Sequence, residues 1–328
     1  MVDDKSMKER ILQVSKETGI PTKKVWDFLY ILCGGEPVAN NELLQRLGVS
    51  KNALNQAKEM FADLLESPSK NTRLKDETLG QVTSLFSAEY KAEETLWSGL
   101  ETDKYHQVLE ILRRHEDKRP APERKYDQFT ATVETTARRA SLLDQNEDVA
   151  GKRLLFLGDD DFTSVAVSSF GKASNVTVLD IDDRILGKIR QVAGEEDLKI
   201  GSANYDARKA LPDSYKQKFD VVFTDPPYTP EGISLFVSRA IQALDLKNQS
   251  ARIYLCYGNS DRAKERFIPI YELLASSGLM VRWIFDKFNR YEGAESIGSA
   301  SSLFVLDVTS KTKALVTGNY DKPIYTNN

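Results

Sequence analysis

From Gly151 to Val308 one pattern repeats: a short apolar run, a polar turn, then a stretch with helical spacing. The candidate strands are Arg153–Leu157, Asn175–Asp180, Leu198–Ile200, Phe219–Thr224, Arg252–Cys256, Leu279–Phe285 and Ser302–Val308. Helical stretches such as Asp183–Val192 and Gly232–Leu244 lie between them. Strands that alternate with helices predict an α/β fold built on a doubly wound parallel sheet. Ligands of such sheets bind outside the carboxyl ends of the strands, near the point where strand order reverses. Two of those ends are acidic: Gly158-Asp159-Asp160-Asp161 and Asp225-Pro226-Pro227-Tyr228. Facing one cavity, these four carboxylates would select a cationic ligand.

Ahead of the sheet the pattern is helical. Ile11, Val14, Val25, Phe28, Leu29 and Leu32 carry helical spacing. A Gly48 turn and a Ser50 cap join two short helices in the manner of a helix-turn-helix, the second running from Ser50 to Leu65. Residues 72–78 read as a wing or a linker. The expected organisation is a winged-helix-like domain over 1–80, a helical connecting segment over 81–145, a catalytic domain over 146–310 and a flexible tail over 311–328. Within the connecting segment, helices are expected from Leu96 to Arg114 and from Thr130 to Leu143, with the charged, Pro-rich stretch His115–Arg124 between them as a linker. The last two strands are close enough to pair as an antiparallel edge, which resembles the methyltransferase variant of the Rossmann fold.

Bulk composition narrows the function. The chain has 328 residues, net charge −4, two cysteines (Cys33, Cys256) and two histidines (His106, His115). The cysteines lie far apart and the histidines are few, so no metal site is expected. Cysteine usage suits a reducing compartment, and the polar N-terminus lacks a signal-peptide core; a cytoplasmic location is expected. No apolar run is long enough to span a membrane. The acidic balance opposes non-specific binding of nucleic acid.

The strand ends carry the chemistry. Three acids after Gly158 would repel a pyrophosphate, which argues against a dinucleotide. They would also oppose the carboxylate of S-adenosylmethionine. A decarboxylated donor keeps the sulfonium and an ammonium and loses that anion. Asp180, then Asp182, is the candidate for ribose hydroxyls, because a carboxylate accepts both hydrogen bonds; Asp182 could equally cap a helix. Asp206, with the Ala207 amide, is the candidate for the adenine amino group, or a solvated loop acid. In Asp225-Pro226-Pro227-Tyr228 the prolines hold the loop extended. A carboxylate or carbonyl there can accept from an amine, as in enzymes that alkylate nitrogen.

Together, Gly158-Asp159-Asp160-Asp161 and Asp225-Pro226-Pro227-Tyr228-Thr229 resemble the branched-chain polyamine synthases, or N4-bis(aminopropyl)spermidine synthases. The stretch from Arg119-Pro120 to Arg138, with Tyr126-Asp127-Gln128 and Glu134-Thr135, looks like that family too. The resemblance implies transfer of aminopropyl groups from decarboxylated S-adenosylmethionine to the secondary amine of spermidine, with 5′-methylthioadenosine as by-product. It implies Asp159 as proton acceptor and Asp225 as the group holding the amine. Gly158, Asp180, Asp182, Asp206 and Ala207 would bind the donor. Asp160, Asp161, Tyr126, Gln128, Glu134, Pro226 and Tyr228 would bind the polyamine, Tyr126, Phe162 and Tyr228 being candidates for cation–π contact, with core packing an equal alternative for Phe162. A homodimer is expected. Residues 285–298, with Asp286, Tyr291, Glu292 and Glu295, read as a substrate-side loop. Two alternatives remain: an S-adenosylmethionine-dependent N-methyltransferase acting on nucleic acid, and a polyamine-sensing DNA-binding regulator.

Overall fold

Ile11, Val14, Val25, Phe28, Leu29 and Leu32, the residues of the N-terminal helical spacing, are all buried in one core. The computed structural model describes residues 4–66, 70–261, 263–293 and 299–326, and the side chains of all of these except 4, 5 and 93–96. The chain divides into two units, one of Met1–Gly99, Asn259–Lys264 and Arg290–Ala300, the other of Leu100–Gly258, Glu265–Asn289 and Ser301–Asn328.

In the first unit, α1 (Asp4–Thr18) and α2 (Thr22–Leu32) are followed by β1 (Val38–Ala39), α3 (Asn40–Leu47) and α4 (Lys51–Met60). Gly48 ends α3 with φ 61°, and the Ser50 hydroxyl accepts from the Ala53 N–H at 3.4 Å to begin α4. The turn chemistry therefore acts as expected. β2 (Leu65–Glu66) and β3 (Asn71–Leu74) complete a small antiparallel sheet in the order β1-β3-β2, so the stretch read as a wing or a linker begins as a strand. α5 (Asp76–Thr83) follows.

The second unit begins earlier than the sequence suggests. The expected helix from Leu96 is broken: a 3-10 turn spans Glu93–Leu100, and α6 (Asp103–Arg114) starts afresh with the Thr102 hydroxyl accepting from the Tyr105 N–H. α6 buries Tyr105, Val108, Leu109 and Leu112; α7 (Val133–Gln145) buries Ala137, Ala140, Leu142 and Leu143. These apolar faces must be covered, so α6 and α7 pack with the sheet unit rather than acting as a connector.

The main sheet comprises β4 (Arg153–Leu157), β5 (Asn175–Asp180), β6 (Gly201–Asn204), β7 (Val221–Thr224), β8 (Arg252–Tyr257), β9 (Met280–Arg290) and β10 (Ala300–Asp307). Helices α8 (Thr163–Ser169), α9 (Asp183–Glu195), α10 (Pro230–Ala243) and α11 (Ile268–Ser276) intervene. Strand order is β6-β5-β4-β7-β8-β10-β9, with β4 to β8 parallel and β10 antiparallel to β8. This is the expected doubly wound sheet, its order reversing between β4 and β7. β6 starts three residues later than its expected strand, because its pairing with β5 (Asp180↔Asn204) sets the register.

Two expectations change. Residues 285–290 are not a loop: β9 runs on to Arg290, with Lys287 at φ 52° as an irregular point in the strand. Glu295 lies outside the described residues. The tail over 311–326 is laid against the second unit rather than loose: Ser238 Oγ accepts from the Leu315 and Val316 amides, and the Tyr320 amide donates to the Arg208 carbonyl. Ile324 is buried and its carbonyl accepts from the Thr229 hydroxyl at 2.6 Å. No described helix is long and apolar enough to cross a membrane.

α10 begins with Thr229 as cap and Pro230 in its first turn, which seats the Asp225-Pro226-Pro227 loop. Gly232 is required there, because an added Cβ would sit 2.6 Å from the Pro227 carbonyl oxygen. Gly232→Ala is expected to destabilise the protein by about 1–3 kcal/mol through overpacking, measured by denaturant unfolding. An unchanged midpoint would show that the loop yields freely.

Candidate active site

The parallel register sets the site. Leu157 pairs with Thr224 of β7 on one side and with Leu179 of β5 on the other. The following residues, Gly158, Asp225 and Asp180, therefore emerge at one level at the carboxyl edge. This is the switch point, where α/β sheets bind ligands. Gly158 has φ 76°, a conformation that favours glycine.

The three acids of the first loop have separate fates. The Asp159 carboxylate is buried and both its oxygens accept from the Ser164 N–H at 3.2 Å, so it serves the start of α8. Burial pushes its pKa well up, and the nearby charges of Asp161 and Asp180 add to this. Asp161 is buried and fully engaged: it accepts from the Ala131 amide and, at 2.7 Å, from Arg139 Nη1. Asp160 differs from both. No donor among the described residues reaches its carboxylate, and it is partly open to solvent. Loss of water raises its pKa well above the usual range, reinforced by Asp161, Asp225, Asp180 and Asp159.

The second loop meets the first through a residue that sequence reasoning passed over. Arg139 on α7 is fully buried. Its Nη1 donates to Asp161, its Nη2 to Asp225 at 2.8 Å, and its Nε to the Asn289 side chain at 2.8 Å. Tyr228 donates its hydroxyl to the other Asp225 oxygen at 3.0 Å. The available signal was an arginine among Ala137, Ala140 and Leu143 on the buried helix face. A charge there requires a partner.

The β5 and β6 ends form the other half of the site. Asp180 accepts from the Asp159 amide at 2.9 Å and from the Asp182 amide at 2.8 Å. Burial lifts its pKa to about 6 despite those bonds. Asp182 caps α9 and is embraced by Arg184, with Gln128 Nε2 at 3.4 Å. Asp206 pairs in the same way with Arg208. Burial alone would raise both acids, but their arginines hold them below the ordinary carboxylate value. Ala207 is buried, and its carbonyl accepts from Arg239 Nε at 2.8 Å. Tyr126 lies 5.8 Å from the ring of Tyr325, a tail residue the sequence reading did not single out. Tyr325 is near enough to Asp180 and Asp206 to feel their charge.

Two expected residues have other tasks. Glu134 pairs with Arg113 at 3.1 Å. It precedes Arg139 by five residues, about 140° around a helix of 3.6 residues per turn, and so faces away from the acids. Phe162 is buried with φ 60° and packs in the core. Pro226 is buried beside Asp225 and shapes the loop. Among the described residues no group of three His, Cys, Asp or Glu is arranged to hold a metal ion.

The site thus has two electrostatic halves. Around Asp180 each further acid carries its own arginine. Around Asp160 four carboxylates lie close together, and Arg139 pairs with two of them, Asp161 and Asp225. The first half suits a neutral nucleoside, the second a cation.

The family model for the branched-chain polyamine synthase A C-terminal domain matches residues 106–325. An N(4)-bis(aminopropyl)spermidine synthase of Thermococcus kodakarensis is 34% identical over 208 residues, 62% of this chain and 58% of the relative. An uncharacterized protein of Methanocaldococcus jannaschii is 36% identical over 222 residues, 68% of this chain and 55% of the relative. The chain spans about half the length of the curated relatives it matches. The branched-chain polyamine synthase of Thermus thermophilus, solved with N4-aminopropylspermidine and 5′-methylthioadenosine, superposes with TM-score 0.66 at 23% identity over 97% of both chains. Its C9 mutein gives 0.67 at 23% identity, covering 99% of this chain and 98% of that one. These likenesses establish a shared fold, and the family match over two thirds of the sequence establishes kinship: the chain belongs to the branched-chain polyamine synthase A family, through its C-terminal domain.

Proposed function

We propose that this protein transfers aminopropyl groups from decarboxylated S-adenosylmethionine to the secondary amine of spermidine, giving branched polyamines and 5′-methylthioadenosine. The observation that carries the reading is the acidic half of the site, where Asp159, Asp160, Asp161 and Asp225 lie close enough to raise the Asp160 pKa and Arg139 pairs with Asp161 and Asp225. The names of the relatives and the ligands of the Thermus structures support it.

The chemistry follows from charge. Polyamine nitrogens are protonated at neutral pH, so the attacking amine must first lose a proton. Its lone pair then forms a bond to the aminopropyl carbon next to sulfur. The carbon–sulfur bond breaks, its electrons remain on sulfur, and a neutral thioether leaves. A second transfer to the same nitrogen, now tertiary, yields a quaternary centre. Asp160 fits the proton acceptor better than Asp159. Its oxygens meet no donor among the described residues, whereas those of Asp159 are held by the start of α8. Asp225, fixed by Arg139 and Tyr228, would hold the amine from the other side. Asp180, Asp182 and Asp206, with Tyr126 and Tyr325, would frame the nucleoside of the donor. Gln128 would act through Asp182, and Asp161 by stabilising the loop. A cytoplasmic, homodimeric enzyme remains part of the proposal.

A donor-swap assay tests this. Protein and spermidine are incubated with decarboxylated or intact S-adenosylmethionine and the products weighed. Mass gains of one and two aminopropyl units are expected with the decarboxylated donor alone. A methyl gain would favour the N-methyltransferase alternative.

Asp160→Asn should lower kcat by about 10²–10⁴-fold, as for loss of a proton acceptor, and Asp159→Asn by less. Equal losses would return the role to Asp159.

The same Asp160→Asn change should raise Tm by about 2 °C or more at pH 7.5. A carboxyl whose pKa is raised by folding costs stability once pH rises through the folded value, and asparagine removes that cost. The gain should vanish below about pH 4, where Asp is protonated in both states. Calorimetry across pH would show it; a pH-independent gain would contradict an electrostatic cause.

A further inference from the structure

We propose that Arg139 is a positioning residue for the transfer: it ties Asp161 of the first acidic loop to Asp225 of the second and leaves Asp160 as the carboxylate that meets the amine. The inference deepens the polyamine reading above and rests on it.

A fixed cation in a pocket for a cation is the opposite of what binding alone would select, because like charges repel. Its retention here points to geometry. The guanidinium is planar, so Nη1 and Nη2 hold Asp161 and Asp225 at a set separation, at 2.7 Å and 2.8 Å. Its plane is itself fixed. Nε donates to Asn289, whose amide donates in turn to Ser301 Oγ at 2.9 Å and Cys256 Sγ at 3.4 Å. The Phe223 ring lies beside the guanidinium carbon at 5.2 Å. The charged and titratable groups around it come from every neighbouring element. Asp161 follows β4, with Asp159 and Asp160 beside it; Asp225 follows β7; the Cys256 thiol is on β8. Thr163 on α8 and Asn289 on β9 are neutral. Arg139 therefore divides the acids: Asp161 and Asp225 are engaged by it, and Asp160 is left to the substrate. It also offsets negative charge that would otherwise make Asp160 harder to ionise.

Two variants separate geometry from charge. Arg139→Lys keeps the charge, but its single ammonium cannot span both carboxylates. It should lower kcat about 10-fold and leave the acid limb of the pH profile in place. Arg139→Gln removes both functions. It should lower kcat about 100-fold, the scale on which small misplacements act, with KM for spermidine within about 3-fold. It should also move the acid limb to higher pH, because the negative field at Asp160 is no longer offset. Adding Asp161→Asn to Arg139→Gln removes one acid along with the cation. The limb should return towards its original position while kcat stays low, since Asp225, though still held by Tyr228, has lost its tie to the first loop. Kinetics across pH and calorimetric binding of 5′-methylthioadenosine provide the readouts. Wild-type kcat and pH profile in both single variants would overturn the proposal, as would a loss of kcat in Arg139→Gln with no movement of the limb. If Arg139→Gln does not fold, Arg139→Lys decides alone, and undiminished kcat in it refutes the role. If the wild-type protein transfers no aminopropyl group, the polyamine reading fails and Arg139's role with it. Active wild type with unaffected variants overturns only the role of Arg139.

Discussion

Packing several carboxylates at the end of a buried sheet is costly, and the second unit depends on how that cost is met. A desolvated carboxylate without a partner is strongly disfavoured. Arg139 bridges Asp161 and Asp225 from α7, where it is fully buried. Asp182 and Asp206 each carry an arginine two residues on. Asp159 turns to a backbone amide. What remains uncompensated is concentrated at Asp160, and unrelieved charge of this kind is a mark of a functional site.

The same compensation creates the contrast along the site. Beside β5 and β6, Asp182 and Asp206 are paired with their own arginines, and Asp180 is held by backbone amides. Beside β4 and β7 the field stays negative. A donor with a neutral nucleoside at one end and a cationic chain at the other would lie along that gradient with its reactive carbon where the halves meet. On the proposed function, the charge map would favour a decarboxylated donor without appeal to the shape of a pocket.

Much of this was legible in the chain. Apolar runs ending at Leu157, Asp180 and Thr224 marked the strands, because strands buried on both faces have no polar positions to confuse the pattern. Less was legible at the margins. β6, Gly201–Asn204, has almost no apolar side chains, and its place is set by pairing with β5. β9 runs on through Asp286 and Lys287, which read locally as loop residues. The helix expected from Leu96 breaks where Thr102 finds a better cap.

The sequence by itself determined the fold class, the two acidic strand ends and the sign of charge expected of a ligand there. These depend on local pattern and on charges adjacent in the chain. Only the tertiary structure decided what holds each acid. Asp159, Asp160 and Asp161 are consecutive and chemically identical, and no local rule separates them. They are separated by Ser164, which holds Asp159, by Arg139, which holds Asp161 from 22 residues away on another helix, and by the lack of a donor to Asp160 among the described residues. Glu134 lost its expected part for the same reason: its face of α7 is set by the burial of Arg139, and that burial is a property of the packed molecule.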